Sequence, residues 1–385
     1  MPSRIIPDQD AGPVAASGFL PGDSLFASQD EILHGRGCLL HAETRGDVSA
    51  RAAGLLADAA GAQTAPVLLG LLPYDPDRPA RLQVPRDWVR TQAPLALPAA
   101  KLPAILHSRE HPTSAQYEQG VRDALTRLAG EPPLRKLVLA RTLQLELTRP
   151  VDLPRLIGRL WQRNPHGYTY AMPLDADGGY FVGASPELLV RRKGRQVHVH
   201  PLAGTAARHP DADTDARLGQ TLLDSPKDLR EHAVVVEAID AVLRPLCRTL
   251  DIPARPSLTS TARLWHLGTP IIGELADPGV TALDLAIALH PTPAVCGLPT
   301  AEARRAIADI EPFERGYFAG AVGWCDARGD GVWSVAIRCA QTAGHAVTLY
   351  AGAGIVPGSV PEQERIETGN KLRTILDALG LESAP

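Results

Sequence analysis

Between Tyr350 and Lys371 the chain reads YAGAGIVPGSVPEQERIETGNK, and its second half carries three groups able to do chemistry together: Glu364, Glu367 and Lys371. Pro361 suits the first turn of a helix, Glu362 and Glu364 suit its positive N-terminal end, and Leu372, Ile375, Leu376 and Leu379 recur at helical spacing. At about 100° per residue, Glu364, Glu367 and Lys371 then fall beside the apolar stripe rather than opposite it. Acids so close to a core need a partner. A hard cation held by oxygen ligands, with a lysine to pair the ligand's own anion, would supply one. A surface helix with an i,i+4 Glu367 to Lys371 pair accounts for the same residues. Ahead of the helix stand Gly352 and Gly354, where the missing Cβ lets a backbone turn sharply and bring its N–H groups to a ligand.

Four further residues stand out. Lys136 opens an alternating segment, Leu134 to Leu147, either as a solvated strand end or as a partly desolvated amine with a lowered pKa, able to act as a base. Glu187 lies in a Ser185-Pro186-Glu187 break between the apolar runs Tyr180 to Ala184 and Leu188 to Arg191, and the break aims it out of regular pairing. Glu231 is one turn from Lys227 on a helix spanning Ser225 to Leu246, again at the edge of an apolar face. Arg338 sits among apolar residues of a strand, Ser334 to Ala340, and needs an anion, a structural carboxylate being the plain candidate. His198 and His200 alternate with Val197 and Val199 as the polar face of a strand, not as metal ligands.

The elements that must position these groups are mixed. Ala65 to Tyr74 reads as a buried strand, and Pro79 to Pro103 as loops and edge strands. A helix over Ser114 to Leu128, capped by Ser114, leads through a Gly-Glu-Pro-Pro turn into the Lys136 segment. Pro154 to Arg163 forms the next helix. Beyond Gln196 to His200, Pro201 to Ala207 bends the chain, and Gly320 to Trp333 forms a hairpin into the Arg338 strand. With 385 residues and 44% hydrophobic content, the chain can bury a sizeable core. A net charge of −4 and a pI near 6.3 leave no basic excess, which argues against nucleic-acid or anionic-membrane partners. The five cysteines share no close spacing of the zinc or disulfide kind, pointing to a reducing compartment. The N-terminus lacks the charged start and apolar run of a signal peptide, and the longest apolar stretch, Ala65 to Leu72, is far short of the ~20 residues that span a bilayer. A cytoplasmic protein is expected.

Eight segments in order carry a resemblance: FVGASPELL, HPLAGTAAR, SPKDLREH, LWHLGTP, HPTPAVCG, EPFERGYFAGAVGWCD, VAIRCA and GAGIVPGS with ERIETGNKL. Over Leu134 to Leu379 the chain resembles the chorismate-utilising enzymes, and most of all the isochorismate synthases of catecholate siderophore pathways. The first hundred residues match weakly. The resemblance implies an α+β fold, two facing, mainly antiparallel β-sheets flanked by helices, of the anthranilate synthase component I kind. Residues 1–110 are then the N-terminal part of that unit, and residues 111–385 the chorismate-binding catalytic region.

It also implies roles. Lys136 would be the general base that activates water, and Glu187 the general acid that protonates the departing hydroxyl. Glu231 and Glu367 would ligate Mg²⁺, with Glu364 acting through water. Arg338, Lys371 and backbone groups around Gly352 and Gly204 would hold the substrate, alongside Thr205, His266, Ala294, Val295 and Phe318. Ammonia-transferring relatives carry a Thr-Gly-Ala-Pro-Lys-like sequence where this chain has Val295 to Thr300, so anthranilate synthesis and a glutamine amidotransferase subunit are not expected. Salicylate synthases tend to carry Ser-Gly or Thr-Gly where Cys296-Gly297 stands, which makes salicylate formation the alternative product. A menaquinone-pathway isochorismate synthase is a second alternative. A non-catalytic carboxylate-binding paralogue is disfavoured because every reactive position is intact. A monomer acting on chorismate is expected.

Overall fold

The Lys136–Leu147 segment forms a twelve-residue strand whose first eight residues are buried on both faces. Burial of both faces requires neighbours on all sides, and the strand finds them inside a ten-stranded antiparallel sheet. It pairs with Ala346–Ile355 along its length, from Leu137 opposite Ile355 to Glu146 opposite Ala346. The sheet continues through Cys339–Ala343, Tyr180–Ser185 and Tyr168–Pro173 to the N-terminal strands Ser24–Ala27 and Ile32–Arg36. This architecture is that of a computed structural model describing residues 18–92, 102–130, 134–174 and 178–381.

A second sheet of nine strands faces the first. At its centre lie Leu188–Lys193, Gly331–Val335, Ala321–Asp326 and the fully buried Val67–Leu72. Inner-face residues of both sheets, among them Leu69, Leu71, Leu139, Phe181 and Trp333, share one hydrophobic core. A second core lies on the outer face of the first sheet, where Leu156, Ile157 and Leu160 of the Leu153–Arg163 helix meet Leu372, Ile375 and Leu376 of the Pro361–Leu379 helix. The fold is α+β, as expected.

Two of the connections that carry the chain between the sheets matter for the site. Pro186-Glu187 joins Tyr180–Ser185 in the first sheet to Leu188–Lys193 in the second, and Ala336-Ile337-Arg338 returns from Gly331–Val335 to Cys339–Ala343. They run side by side: the Ala184 N–H donates to the Arg338 carbonyl at 3.0 Å, and the Val335 N–H donates to the Glu187 carbonyl at 3.2 Å. Arg338 is therefore not a strand residue. Its φ of 52° is in the left-handed region, which side-chain-bearing residues rarely adopt.

Other expectations also change. Leu202–Ala207 is not a bend but a strand of a third, three-stranded sheet, paired with Leu264–Gly268, whose far edge is Ser257–Ser260. Ala80–Val84 is not an edge strand, since it lies between Val67–Leu72 and Leu40–Thr44. Asp87–Thr91 is one. Residues 93–101 of that proline-bearing run, and residues 131–133 of the Gly-Glu-Pro-Pro turn, lie outside the described residues. The cap of the Ser114–Leu128 helix is Thr113, in a reciprocal capping box with Gln116, because the helix already includes Ser114.

Candidate active site

Every residue expected at the site lines one cavity except Lys136 and Glu364. Glu187 and Arg338 reach it from the two adjacent inter-sheet connections described above. Gly204, Thr205 and His266 come from the third sheet, and Ala294, Val295 and Phe318 from two loops. Gly352 comes from a central strand, and Glu231, Glu367 and Lys371 from two helices. Ala319 and Arg338 are the two non-glycine residues with positive φ among those described, and both line this cavity, so backbone strain concentrates here.

Glu187 is fully buried, its Oε1 accepting a weak 3.4 Å hydrogen bond from the Leu202 N–H. Burial raises its pKa to about 7, outweighing that N–H and the positive charges of Lys136, Arg338 and Lys371. Near neutral pH a substantial fraction of the carboxyl carries a proton it can donate.

Arg338 has no carboxylate within ion-pair distance among the described residues, so the plain candidate for its partner is not there. Burial lowers its pKa to about 10 despite Glu367 and Glu187. Its Nη2 lies 3.3 Å from Nε2 of His266. Because a guanidinium only donates, that ring nitrogen accepts, which leaves the proton on Nδ1, 3.1 Å from Oγ1 of Thr205. Burial and the adjacent Arg338 hold the His266 pKa well below its ordinary value, consistent with a neutral ring.

The three candidate carboxylate ligands are each turned to a lysine. Nζ of the wholly buried Lys136 lies 2.9 Å from Glu231 Oε1, Lys227 donates to Glu364 Oε1 at 2.9 Å, and Lys371 donates to Glu367 Oε1 at 2.6 Å. Burial pushes the Glu231 carboxyl up, but Lys136, Lys371 and Lys227 more than reverse this and its pKa is lowered. Glu364 is raised, first by burial and then by the neighbouring negative charge of Glu367. Lys371 also donates to the Gly352 carbonyl at 3.0 Å.

Lys136 is thus not a solvated strand end, and its amine lies beside Glu231 and Gly354, which line the cavity. The i,i+4 pair of Glu367 and Lys371 exists, and it faces the cavity rather than open surface. Gly352 and Gly354 make no sharp turn, since both sit in the regular strand opposite Ala140 and Val138. What Gly354 provides is room: a Cβ there would lie 2.2 Å from Glu231 Oε1 and 3.0 Å from Lys136 Cε. His198 and His200 lie on a strand of the second sheet, away from the cavity's lining.

Sequence reasoning missed Tyr350, Ile337 and Val138 as cavity walls. Tyr350 stacks on Phe318, ring centroids 5.2 Å apart, and both follow from the glycine-rich segments that were singled out. Lys227 was noted only for its spacing from Glu231, and its actual partner, Glu364, lies 137 residues away.

Comparison with known proteins identifies the family. Residues 82–380 match the family model described as chorismate binding enzyme. Isochorismate synthase DhbC of Bacillus subtilis is 45% identical, over 94% of this chain and 95% of its own. The vibriobactin-specific isochorismate synthase of Vibrio cholerae is 43% identical, over 82% of this chain and 80% of its own. Among solved structures, that of DhbC from Bacillus anthracis superposes with a TM-score of 0.90 at 40% identity, covering 95% of this chain and 98% of that one.

Proposed function

The chain belongs to the chorismate-binding enzyme family, and from that premise we propose that it is an isochorismate synthase, converting chorismate to isochorismate. The observation that carries this reading is the pairing, across one cavity, of a carboxyl with a pKa near 7 and a buried guanidinium lacking a carboxylate partner. Chorismate is a dianion, and Arg338 and Lys371 offer fixed positive charge for its two carboxylates.

In the reaction, water adds at one ring carbon while a hydroxyl leaves from another and the double bond shifts between them. Lys136 takes the proton from the attacking water, and Glu187 gives one to the departing hydroxyl. Burial maintains the acid form of Glu187 at neutral pH. Lys136 Nζ lies 2.9 Å from Glu231 Oε1, and the close fit of Glu231 against Gly354 keeps that carboxylate within reach of the amine.

The donor set suits a hard divalent cation. Carboxylate oxygens, two of them mutually repelling, are what Mg²⁺ prefers, although among the described residues no three such groups already converge. Glu231 and Glu367 would hold Mg²⁺ directly and Glu364 through water, and the ion would supply positive charge for the ring carboxylate. The relative specific for vibriobactin supports a role in catecholate siderophore synthesis. No helix among the described residues is long and apolar enough to cross a membrane.

The deciding experiment is chromatography of the products of purified protein with chorismate and Mg²⁺. Isochorismate in reversible exchange with chorismate is expected, with no ammonia dependence. Salicylate with stoichiometric pyruvate at early times would instead assign salicylate synthesis, and anthranilate formed with ammonium would overturn both.

A further inference from the structure

Behind the cavity lies a second buried ion pair that the reaction does not use. Arg315 and Glu311 have side chains 2% and 3% exposed, and the guanidinium donates to both carboxylate oxygens. Burial alone would lower the Arg315 pKa, yet Glu311 raises it, so the group stays charged. The remaining donors go to backbone: Nη1 to the Val295 carbonyl and Nη2 to the Val138 carbonyl, both at 2.8 Å. Glu311 in turn accepts the Ala140 N–H at 2.7 Å. The Phe318 N–H donates to the Arg315 carbonyl at 3.0 Å, and the guanidinium sits over the Tyr74 ring at 4.3 Å.

Val138, Val295 and Phe318 all line the cavity, whereas Arg315 and Glu311 do not. The guanidinium bonds Val138 of a strand and Val295 of a loop far away in the chain, whereas Phe318 is held by the Arg315 main-chain carbonyl three residues before it. Val138 also lies on the same side of its strand as Lys136, two residues away. A planar fork of donors fixed by a carboxylate holds two carbonyls at set angles, which an ammonium on a flexible stem does not.

We propose that Arg315, held by Glu311, is a positioning residue that fixes the Val138 and Val295 walls, and through Val138 the amine of Lys136, in the reactive geometry. The role rests on the isochorismate synthase reading. It differs from a purely structural ion pair in what its loss does: turnover falls, while binding through Arg338 and Lys371 persists.

The test is a charge-balanced double variant, Glu311→Gln with Arg315→Met, because replacing both members of a buried pair is tolerated far better than removing one. Loosening by about 1 Å should lower kcat on the order of 10- to 100-fold. The chorismate dissociation constant, measured calorimetrically, should change by less than about threefold, with thermal unfolding still cooperative. A folded double variant with near-normal kcat overturns the proposal, as does a loss confined to chorismate affinity. If the double variant does not fold, Arg315→Lys decides: it keeps the charge beside Glu311 but not the fork, and full turnover in it overturns the proposal equally. The unaltered chain is assayed alongside. If it forms no isochorismate, the functional reading and this role fall together, whereas an active unaltered chain with unimpaired variants removes the role of Arg315 alone.

Discussion

Gly354→Ala places one methyl group where the site has no room. An added Cβ would lie 2.2 Å from Oε1 and 2.9 Å from Cδ of Glu231, and 3.0 Å from Cε of Lys136, against 3.4–4 Å for ordinary contacts. The backbone itself tolerates alanine, since Gly354 sits in a regular antiparallel strand opposite Val138. Relief must therefore come from Glu231, which has to retreat by about 1 Å from a buried lysine now 2.9 Å away. At an effective dielectric of about 20, stretching that pair gives up roughly 1.5 kcal/mol, and overpacking a buried site costs about 1–3 kcal/mol. A domain of this size survives such a loss. The proposed chemistry does not, because a 1 Å error in a group that positions the proposed base is worth about 10²-fold in rate. The expected variant is folded, with a modestly lowered unfolding midpoint, kcat down about 100-fold and a raised Mg²⁺ requirement. Wild-type kcat at an unchanged Mg²⁺ requirement would refute the placement of Glu231 beside Lys136.

Glu187 gives a pH signature: with a pKa near 7, activity falls tenfold per unit above that value as the acid form is lost, and Glu187→Gln leaves a residue of at most ~1% with that limb abolished. The same shift acts on stability. The folded pKa lies above the ordinary 4.5, so the folded state binds the proton more tightly and the resulting stability, full at low pH, is lost as pH rises through 7. That loss is about 3 kcal/mol on an order-of-magnitude scale, and denaturant titrations of wild type and Glu187→Gln at pH 5 and 8 should differ in this sense. Lys136→Ala should lower turnover at least ~10²-fold with chorismate still bound, and near-normal turnover would move the base elsewhere. Glu231→Ala or Glu367→Ala should abolish activity, as should excess chelator, and Glu364→Ala should do less damage. Full activity in chelator would remove the metal from the reaction.

The sequence made much of the candidate site legible because helix periodicity is local. Spacing alone placed Glu364, Glu367 and Lys371 beside the Leu372 to Leu379 stripe, and in the structure Glu364 is buried while Glu367 and Lys371 face the cavity. The break at Ser185 to Glu187 was readable from its proline. Its meaning was not, because nothing local tells that the strands on either side join different sheets. Arg338 was misplaced for a related reason: VAIRCA is apolar enough to continue a strand, and only pairing with residues some 150 positions earlier bends it into the left-handed region. The lysine partners of Glu231 and Glu364 come from elements 95 and 137 residues away, beyond any periodicity.

The three lysine–glutamate pairs bear on the order in which ligands can enter. Glu231, Glu364 and Glu367 each face a lysine, whereas Arg338 has no carboxylate within ion-pair distance among the described residues. Were Glu231 and Glu367 recruited to a cation, Lys136 and Lys371 would lose their partners, and Lys371 and Arg338 would then present positive charge to the cavity, which a dianion would relieve. A dianion arriving first would find those lysines already engaged. Under the proposed function, occupancy by either ligand would prepare the site for the other, and thermodynamic reciprocity would fix the size of the effect: whatever factor Mg²⁺ contributed to chorismate affinity, chorismate would return to Mg²⁺.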